Sequence, residues 1–258
     1  MGKDVIIHWY EVVDSTNRLA REEAANASDS TVWASDMQTA GRGQRGNTWT
    51  SDRGKNLTFS WLVKPANLSP SRQFLISQAT ALGICAYLAE WGLAPQIKWP
   101  NDIYLGDKKI CGILIEHSLT SERILSTVVG IGLNLSQTEF PASLPNPTSL
   151  RLALAEHFPD RPLPELDPKE ELVSLLGHLH AFRSLIDTES GATALEAAYL
   201  DRLYRLGESA LYEDKTVTPP RRFTGRILGI DKRSCLRVLD EERGQERVFS
   251  FQEIAYLR

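Results

Sequence analysis

The sequence predicts an α+β protein that ends in a small β-barrel. Three observations carry this. Strand-like apolar runs follow one another from Gln96 to Leu135, Arg72 to Trp91 repeats apolar residues at helical spacing, and short β-rich pieces at turn spacing fill the chain beyond Gly207. The chain has 258 residues, 42% hydrophobic and 24% charged, which supports a sizeable core and excludes wholesale disorder. A net charge of -4 leaves no basic surplus to neutralise phosphates, so a dedicated nucleic-acid binder is not expected. Cys85, Cys111 and Cys235 are odd in number and lack metal-ligand pairing; they read as thiols in a reducing compartment. The opening MGKDVIIHWYEVVDST has no signal-peptide pattern, and Lys64, Arg72, Glu90 and Lys98 interrupt the most apolar regions. No membrane partner is expected, and the expected location is cytoplasmic.

Taken in order, residues 5–13 (VIIHWYEVV) form a strand that ends at the helix-start signal of Asp14, Ser15 and Thr16. The amphipathic NRLAREEAANA follows, with Leu19 and Ala20 on its apolar side. A polar, glycine-rich stretch at 41–56 leads into a strand at Leu57–Lys64, rich in β-branched and aromatic residues. The helix from Arg72 to Trp91 is terminated by Gly92. The strands between Gln96 and Leu135 are broken by turns at Pro100–Asp102 and Gly106–Asp107. Prolines 141, 145, 147, 159, 162, 164 and 168 make that region mostly loop, around the short helix TSLRLALAEHF. Residues 169–206 return to helical periodicity with a break near Glu189–Gly191, and FTGRILGID, CLRVLD and RVFSF are the strands of the barrel.

Gly41-Arg-Gly-Gln-Arg-Gly46 matches GxGxxG, but that dinucleotide fingerprint must open a helix directly after a strand. Here NTWTSDRGKN follows, and Asn47 stands where a P-loop has its lysine, so both standard nucleotide motifs are rejected. A loop carrying Arg42, Arg45 and Arg53 is left, with Trp49 as an aromatic face. Glycine allows close approach of backbone to a ligand, and guanidinium groups suit phosphate oxygens. In Lys98-Trp-Pro-Asn-Asp102, Pro100 keeps Trp99 extended, so Lys98 and Trp99 end a strand and Asn101 and Asp102 occupy the turn. Lys109 begins the returning strand, with Gly112 inside it.

Gly130 and Gly132, two apart in VVGIGLNL, point to one face of their strand. With Gly112 these interior glycines cost about 2 kcal/mol relative to alanine, and a ligand or another backbone occupying the bare patch accounts for them. Close helix-on-sheet packing is the bland alternative. Asp14-Ser-Thr-Asn17 is a helix N-cap whose hydroxyls can also bond a polar ligand head group, and Gln38 can add an amide contact. His8, His117, His157, His178 and His180 lack metal-ligand spacing, and no serine–histidine–acid triad is present.

Taken together, DSTN (14–17), QTAGRGQRGNTW (38–49), KWPND (98–102), KKICGIL (108–114) and GIGLN (130–134) resemble the biotin protein ligases, with GID (229–231) and EIAYLR matching more loosely. The resemblance implies a mixed-sheet catalytic domain over residues 1–206 and a C-terminal SH3-like β-barrel over 207–258. It implies an ATP-dependent enzyme, a biotin–[acetyl-CoA-carboxylase] ligase. Biotin and Mg-ATP give biotinyl-5′-AMP and pyrophosphate, and a lysine of a biotin carboxyl carrier protein then takes the biotinyl group. Ser15, Thr16, Asn17 and Gln38 would hold the ureido end of biotin. Gly41, Arg42, Gly43 and Gln44 would form the loop closing on biotin and adenylate. Lys109 would contact the biotin carboxylate and the α-phosphate, with Gly112 and Leu114 lining the pocket. Trp49 and Asn134 would border adenine, with Arg45 nearby. Lys109 and Arg42 are the catalytic candidates; Mg2+ would arrive with ATP, no metal being held by protein ligands. Asp102 is a candidate second-step base, a turn-capping role being its alternative.

The family loop commonly has arginine where this chain has Gln44, so either Arg45 or Arg53 compensates in part or the adenylate is held less tightly. An extra residue between Glu253 and Arg258 puts an ATP contact by Arg258 in doubt. Ligase motifs that begin at Asp14 leave no room for the DNA-binding domain some relatives carry, so no nucleic-acid partner is expected. Exposed sheet edges permit a homodimer. A lipoate ligase and a non-catalytic biotin sensor are the competing functions.

Overall fold

A computed structural model describes residues 5–257. Its larger sheet has seven strands in the order β1-β2-β3-β7-β6-β5-β4. These are β1 (Ile7–Val13), β2 (Val32–Gln38), β3 (Asn56–Val63), β4 (Pro95–Lys98), β5 (Asp102–Leu105), β6 (Lys108–Leu119) and β7 (Ile124–Asn134). β1 runs parallel to β2 and every other pairing is antiparallel, so the sheet is mixed. Helix α1 (Thr16–Glu23) crosses between β1 and β2, as a parallel pair requires of its connection.

β3 is buried along its whole length because helices cover both faces of the sheet. On one face Trp33, Leu62 and Val128 pack under Ala20 and Ala24 of α1. On the other, Trp61, Val63 and Val129 join the main core with α2 (Phe74–Glu90) and α4 (Pro168–Arg183). α2 is apolar nearly all round, as befits a helix packed between the sheet and other helices. It lies so close to α4 that a Cβ on Gly83 would stand 3.1 Å from the Leu179 Cα. Gly92 ends α2 as expected, at φ 79°.

The proline-rich region holds α3 (Leu150–His157), capped by Ser149, whose side chain accepts from the Leu152 N–H at 3.2 Å. Asp167 caps α4 in the same manner, with Pro168 in its first turn. The break expected near Glu189 falls slightly earlier. A short 3-10 turn, Ser184–Asp187, is followed by Thr188, which caps α5 (Glu189–Asp201).

After Gly207 (φ 73°) the chain enters a second, five-stranded antiparallel sheet. It comprises β8 (Ser209–Asp214), β9 (Arg221–Ile230), β10 (Leu236–Asp240), β11 (Gln245–Phe249) and β12 (Ile254–Tyr256), in the order β11-β10-β9-β8-β12. The two sheets meet where Trp99 packs on Phe251, ring centroids 5.0 Å apart, and donates from Nε1 to the Ser234 carbonyl at 3.1 Å. No helix among the described residues is long and apolar enough to cross a membrane.

Candidate functional site

Strand register creates the site. On the α1 face, three cross-strand rows run from β3 through β7 to β6: Thr58–Gly132–Gly112, Ser60–Gly130–Leu114 and Leu62–Val128–Glu116. Two of these rows contain glycine, so the sheet surface drops away beside the first turn of α1.

Asn17 descends onto the middle row. Its Oδ1 is 2.5 Å from Ser60 Oγ, and its Nδ2 donates to Glu116 Oε2 at 3.0 Å. A Cβ on Gly130 would stand 2.1 Å from that Oδ1. The indole of Trp49 lies over the first row, where a Cβ on Gly132 would come within 2.3 Å of Trp49 Cε2 and one on Gly112 within 3.2 Å of Cζ3. The glycines therefore mark a place of close approach, as expected. In the structure the side chains of Asn17 and Trp49 make that approach.

The glycine-rich loop is a tight excursion closed on itself. Arg42 bridges to Thr48, the Gly43 N–H donates to the Asn47 carbonyl at 2.7 Å, and the Trp49 N–H to the Gly41 carbonyl at 3.0 Å. Gly41 is buried beneath the loop, where a Cβ would meet the Trp49 carbonyl at 2.3 Å; it supports the hollow instead of lining it. Trp49 Nε1 is buried with no hydrogen-bond partner among the described residues.

Between α1, this loop and β6 lies a hollow of about 180 Å³. Ser15, Thr16, Asn17, Gln38, Arg42, Gly43, Gln44, Trp49, Asp102, Lys109, Gly112 and Leu114 all line it, so residues distant in sequence converge. Gln38 Oε1 accepts from the Thr16 N–H at 2.7 Å and lies 3.1 Å from Thr16 Oγ1, which fixes this polar end. Arg42 reaches the rim, 3.6 Å from Glu116, a carboxylate it shares with Arg21.

A second hollow of about 640 Å³ adjoins the first. Asn47, Thr48, Trp49, Asp102 and Lys109 line both. Thr50, Lys98, Tyr104, Asn134 and residues of the 140–147 segment complete the second. Asn134 donates its amide to the Thr148 carbonyl at 2.8 Å, and the Lys109 N–H donates to the Asn146 carbonyl at 2.7 Å, so the proline-rich segment is tied along the start of β6. Lys109 Nζ is 2.7 Å from Asp102 Oδ1 and 5.9 Å from the centre of the Trp49 ring. Asn101 holds this turn on β6 by donating to the Ile113 carbonyl at 2.8 Å.

Arg53 turns away to Glu11, at 2.8 Å, and lines neither hollow, so it does not replace the charge missing at Gln44. The Arg45 side chain and Arg258 lie outside what the structure describes. Glu116 escaped the sequence reading, although period-2 alternation from Gly112 through Leu114 points to it. Asn47, Thr48 and Thr58 also line the first hollow and carried no motif signal of their own.

The site thus joins a pocket of amides and hydroxyls to a larger hollow through one lysine. The sequence profile of the Biotin/lipoate A/B protein ligase family matches residues 9–134. The bifunctional ligase/repressor BirA of Bacillus spizizenii is 30% identical over 97% of this chain and 73% of its own length. The biotin–[acetyl-CoA-carboxylase] ligase of Paracoccus denitrificans is 30% identical over 82% of this chain and 87% of its own. In structure, the biotin protein ligase from Aquifex aeolicus in complex with biotin and ATP superposes with a TM-score of 0.74 at 26% identity, covering 98% of this chain and 99% of that one. The chain belongs to the biotin/lipoate A/B protein ligase family.

Proposed function

We propose that this protein is an ATP-dependent ligase that converts biotin to biotinyl-5′-AMP and then passes the biotinyl group to a lysine of a biotin carboxyl carrier protein. The observation that carries this is the place of Lys109, on the wall common to a polar hollow and a larger one. A carboxylate in the first and a nucleotide α-phosphate in the second would meet at its ammonium. Hydroxyls and amides of Ser15, Thr16, Asn17 and Gln38 suit a ureido group, which both donates and accepts.

In the first step a carboxylate oxygen attacks the α-phosphorus, and the bond to the bridging oxygen breaks. Pyrophosphate leaves with the electron pair. Carboxylate and polyphosphate repel, and the cations of Lys109 and Arg42 offset that repulsion. In the second step the carrier amine attacks the acyl carbon and AMP departs. Asp102, held beside Lys109, is the nearest carboxylate able to take the amine proton.

Among the described residues no group of three or more His, Cys, Asp or Glu is arranged to hold a metal. Among the described residues Asp102 is the sole carboxylate lining either hollow, so Mg2+ would fit here as a companion of the nucleotide, offsetting the negative charge of its phosphates. We further propose the division at 206/207, with an SH3-like second unit, a cytoplasmic location, and pairing of a second copy along the open edge at β1.

Biotin-dependent exchange of pyrophosphate into ATP is the decisive assay. Exchange with biotin and none with lipoate is expected. The converse would make the protein a lipoate ligase, and biotin binding without exchange would make it a sensor. Lys109→Ala is expected to slow adenylation on the order of 10²–10³-fold while leaving the melting temperature nearly unchanged; wild-type exchange in that variant refutes the role.

A further inference from the structure

Lys98 closes β4 and faces Asp102 across the β4–β5 pair. Asp102, however, gives its carboxylate to Lys109. Among the described residues Lys98 has no acidic partner, although its stem is half-buried. Its Nζ lies instead 3.0 Å from the Tyr104 hydroxyl, 4.7 Å from the centre of the Tyr104 ring and 4.9 Å from that of Tyr256. Ring faces attract an ammonium through their quadrupole and hold it in place, but they do not cancel its charge as a carboxylate does. Lys98 lines the larger hollow together with Lys109. Of the two lysines there, Lys109 is paired with Asp102, whereas Lys98 has no carboxylate partner among the described residues.

We infer that Lys98 is a catalytic residue of the first step: it binds the β- and γ-phosphates of the nucleotide and stabilises pyrophosphate as it leaves. This inference rests on the ligase function proposed above. As the α-phosphorus–oxygen bond breaks, its electron pair moves onto the pyrophosphate oxygen, and negative charge grows on the side of phosphorus away from the attacking carboxylate. Lys109 stands between the two hollows and serves the carboxylate and the α-phosphate, so Lys98 is the protein cation placed to act on the leaving group beside the Mg2+ that accompanies the nucleotide. Lys98 donates hydrogen bonds only and its proton stays in place.

The second sheet acquires a part in the chemistry by the same geometry. Tyr256, on β12, is packed against Tyr204 and Tyr212 at ring-centroid distances of 6.1 and 5.4 Å. It therefore presents a fixed ring face to Lys98 and acts as a positioning residue.

The test compares Lys98→Met, which keeps the stem and removes the charge, with wild type in two half-reactions. One is biotin-dependent ATP–pyrophosphate exchange; the other is transfer from supplied biotinyl-5′-AMP to a biotin carboxyl carrier domain. Exchange is expected to fall roughly tenfold to a hundredfold, with a raised KM for pyrophosphate, and transfer from the supplied adenylate to fall much less. Lys98→Arg should recover part of the loss, and Tyr256→Leu should show a smaller defect in the same half-reaction. Unchanged exchange in Lys98→Met overturns the inference, and so does an equal loss in both half-reactions, which signals mere disruption of the strand. Absence of exchange in wild type would instead overturn the ligase function itself.

Discussion

At the scale of single residues, charge placement decides the chemistry. Gln44 lines the smaller hollow where the family loop commonly offers a guanidinium, and Arg53 is committed to Glu11. Gln44→Arg is therefore expected to slow dissociation of biotinyl-5′-AMP, by roughly tenfold for one added charge-assisted hydrogen bond; equal dissociation rates for parent and variant would count against it. Most of the lining residues were legible because their motifs are short, polar and glycine-rich in a chain otherwise patterned for burial. Glu116 was not, because an acidic residue at the end of an apolar strand reads as solvated charge. Only the fold shows that it gathers Asn17, Arg21 and Arg42.

At the scale of elements, strong periodicity transferred well and weak periodicity did not. The α2 segment and the β6–β7 pair stand where apolar spacing puts them. β2 was unreadable: Val32 through Ser35 are buried without alternation, and Ser35 bends its hydroxyl onto the Met37 carbonyl at 2.6 Å, so no period-2 pattern survives. β12 is three residues long and exists through its pairing with β8. The sequence marks Trp49 as an aromatic face of its loop, and in the fold its indole lies on the sheet over Gly112 and Gly132. With the indole there, the smaller hollow is about 180 Å³, below the ~300–1,000 Å³ usual for ligand pockets. Binding of biotin is thus expected to lift the ring off Gly112 and Gly132. Tryptophan fluorescence titrated with biotin should change in the parent, and the change should be lost in Trp49→Phe; a signal surviving that substitution would show that the ring does not move.

At the scale of the whole molecule, burial separates the three thiols. Cys85 and Cys111 lie in the main core, where loss of solvent pushes the Cys85 thiol up to about 12 and the Cys111 thiol well above its ordinary value. Raised values mean almost no thiolate near neutral pH, the form that reacts. Cys235, partly exposed on the second sheet, is outside that core. Alkylation of the native chain at pH 8 is expected to modify Cys235 alone, with Cys85 and Cys111 reacting only after denaturation. Early labelling of either buried thiol would show that the seven-stranded unit opens locally. The contact between the two sheets, made by Trp99, Phe251 and Ser234, could not be read from the chain because each partner alone looks like an ordinary core or turn residue.

The position of Trp49 has a thermodynamic consequence. Its buried Nε1 has no hydrogen-bond partner among the described residues, and its ring covers Gly112 and Gly132. Because the same ring walls both hollows, a guest that displaces it from one reshapes the other. Linkage makes that influence mutual: whatever factor the vitamin contributes to nucleotide affinity, the nucleotide must return to the vitamin.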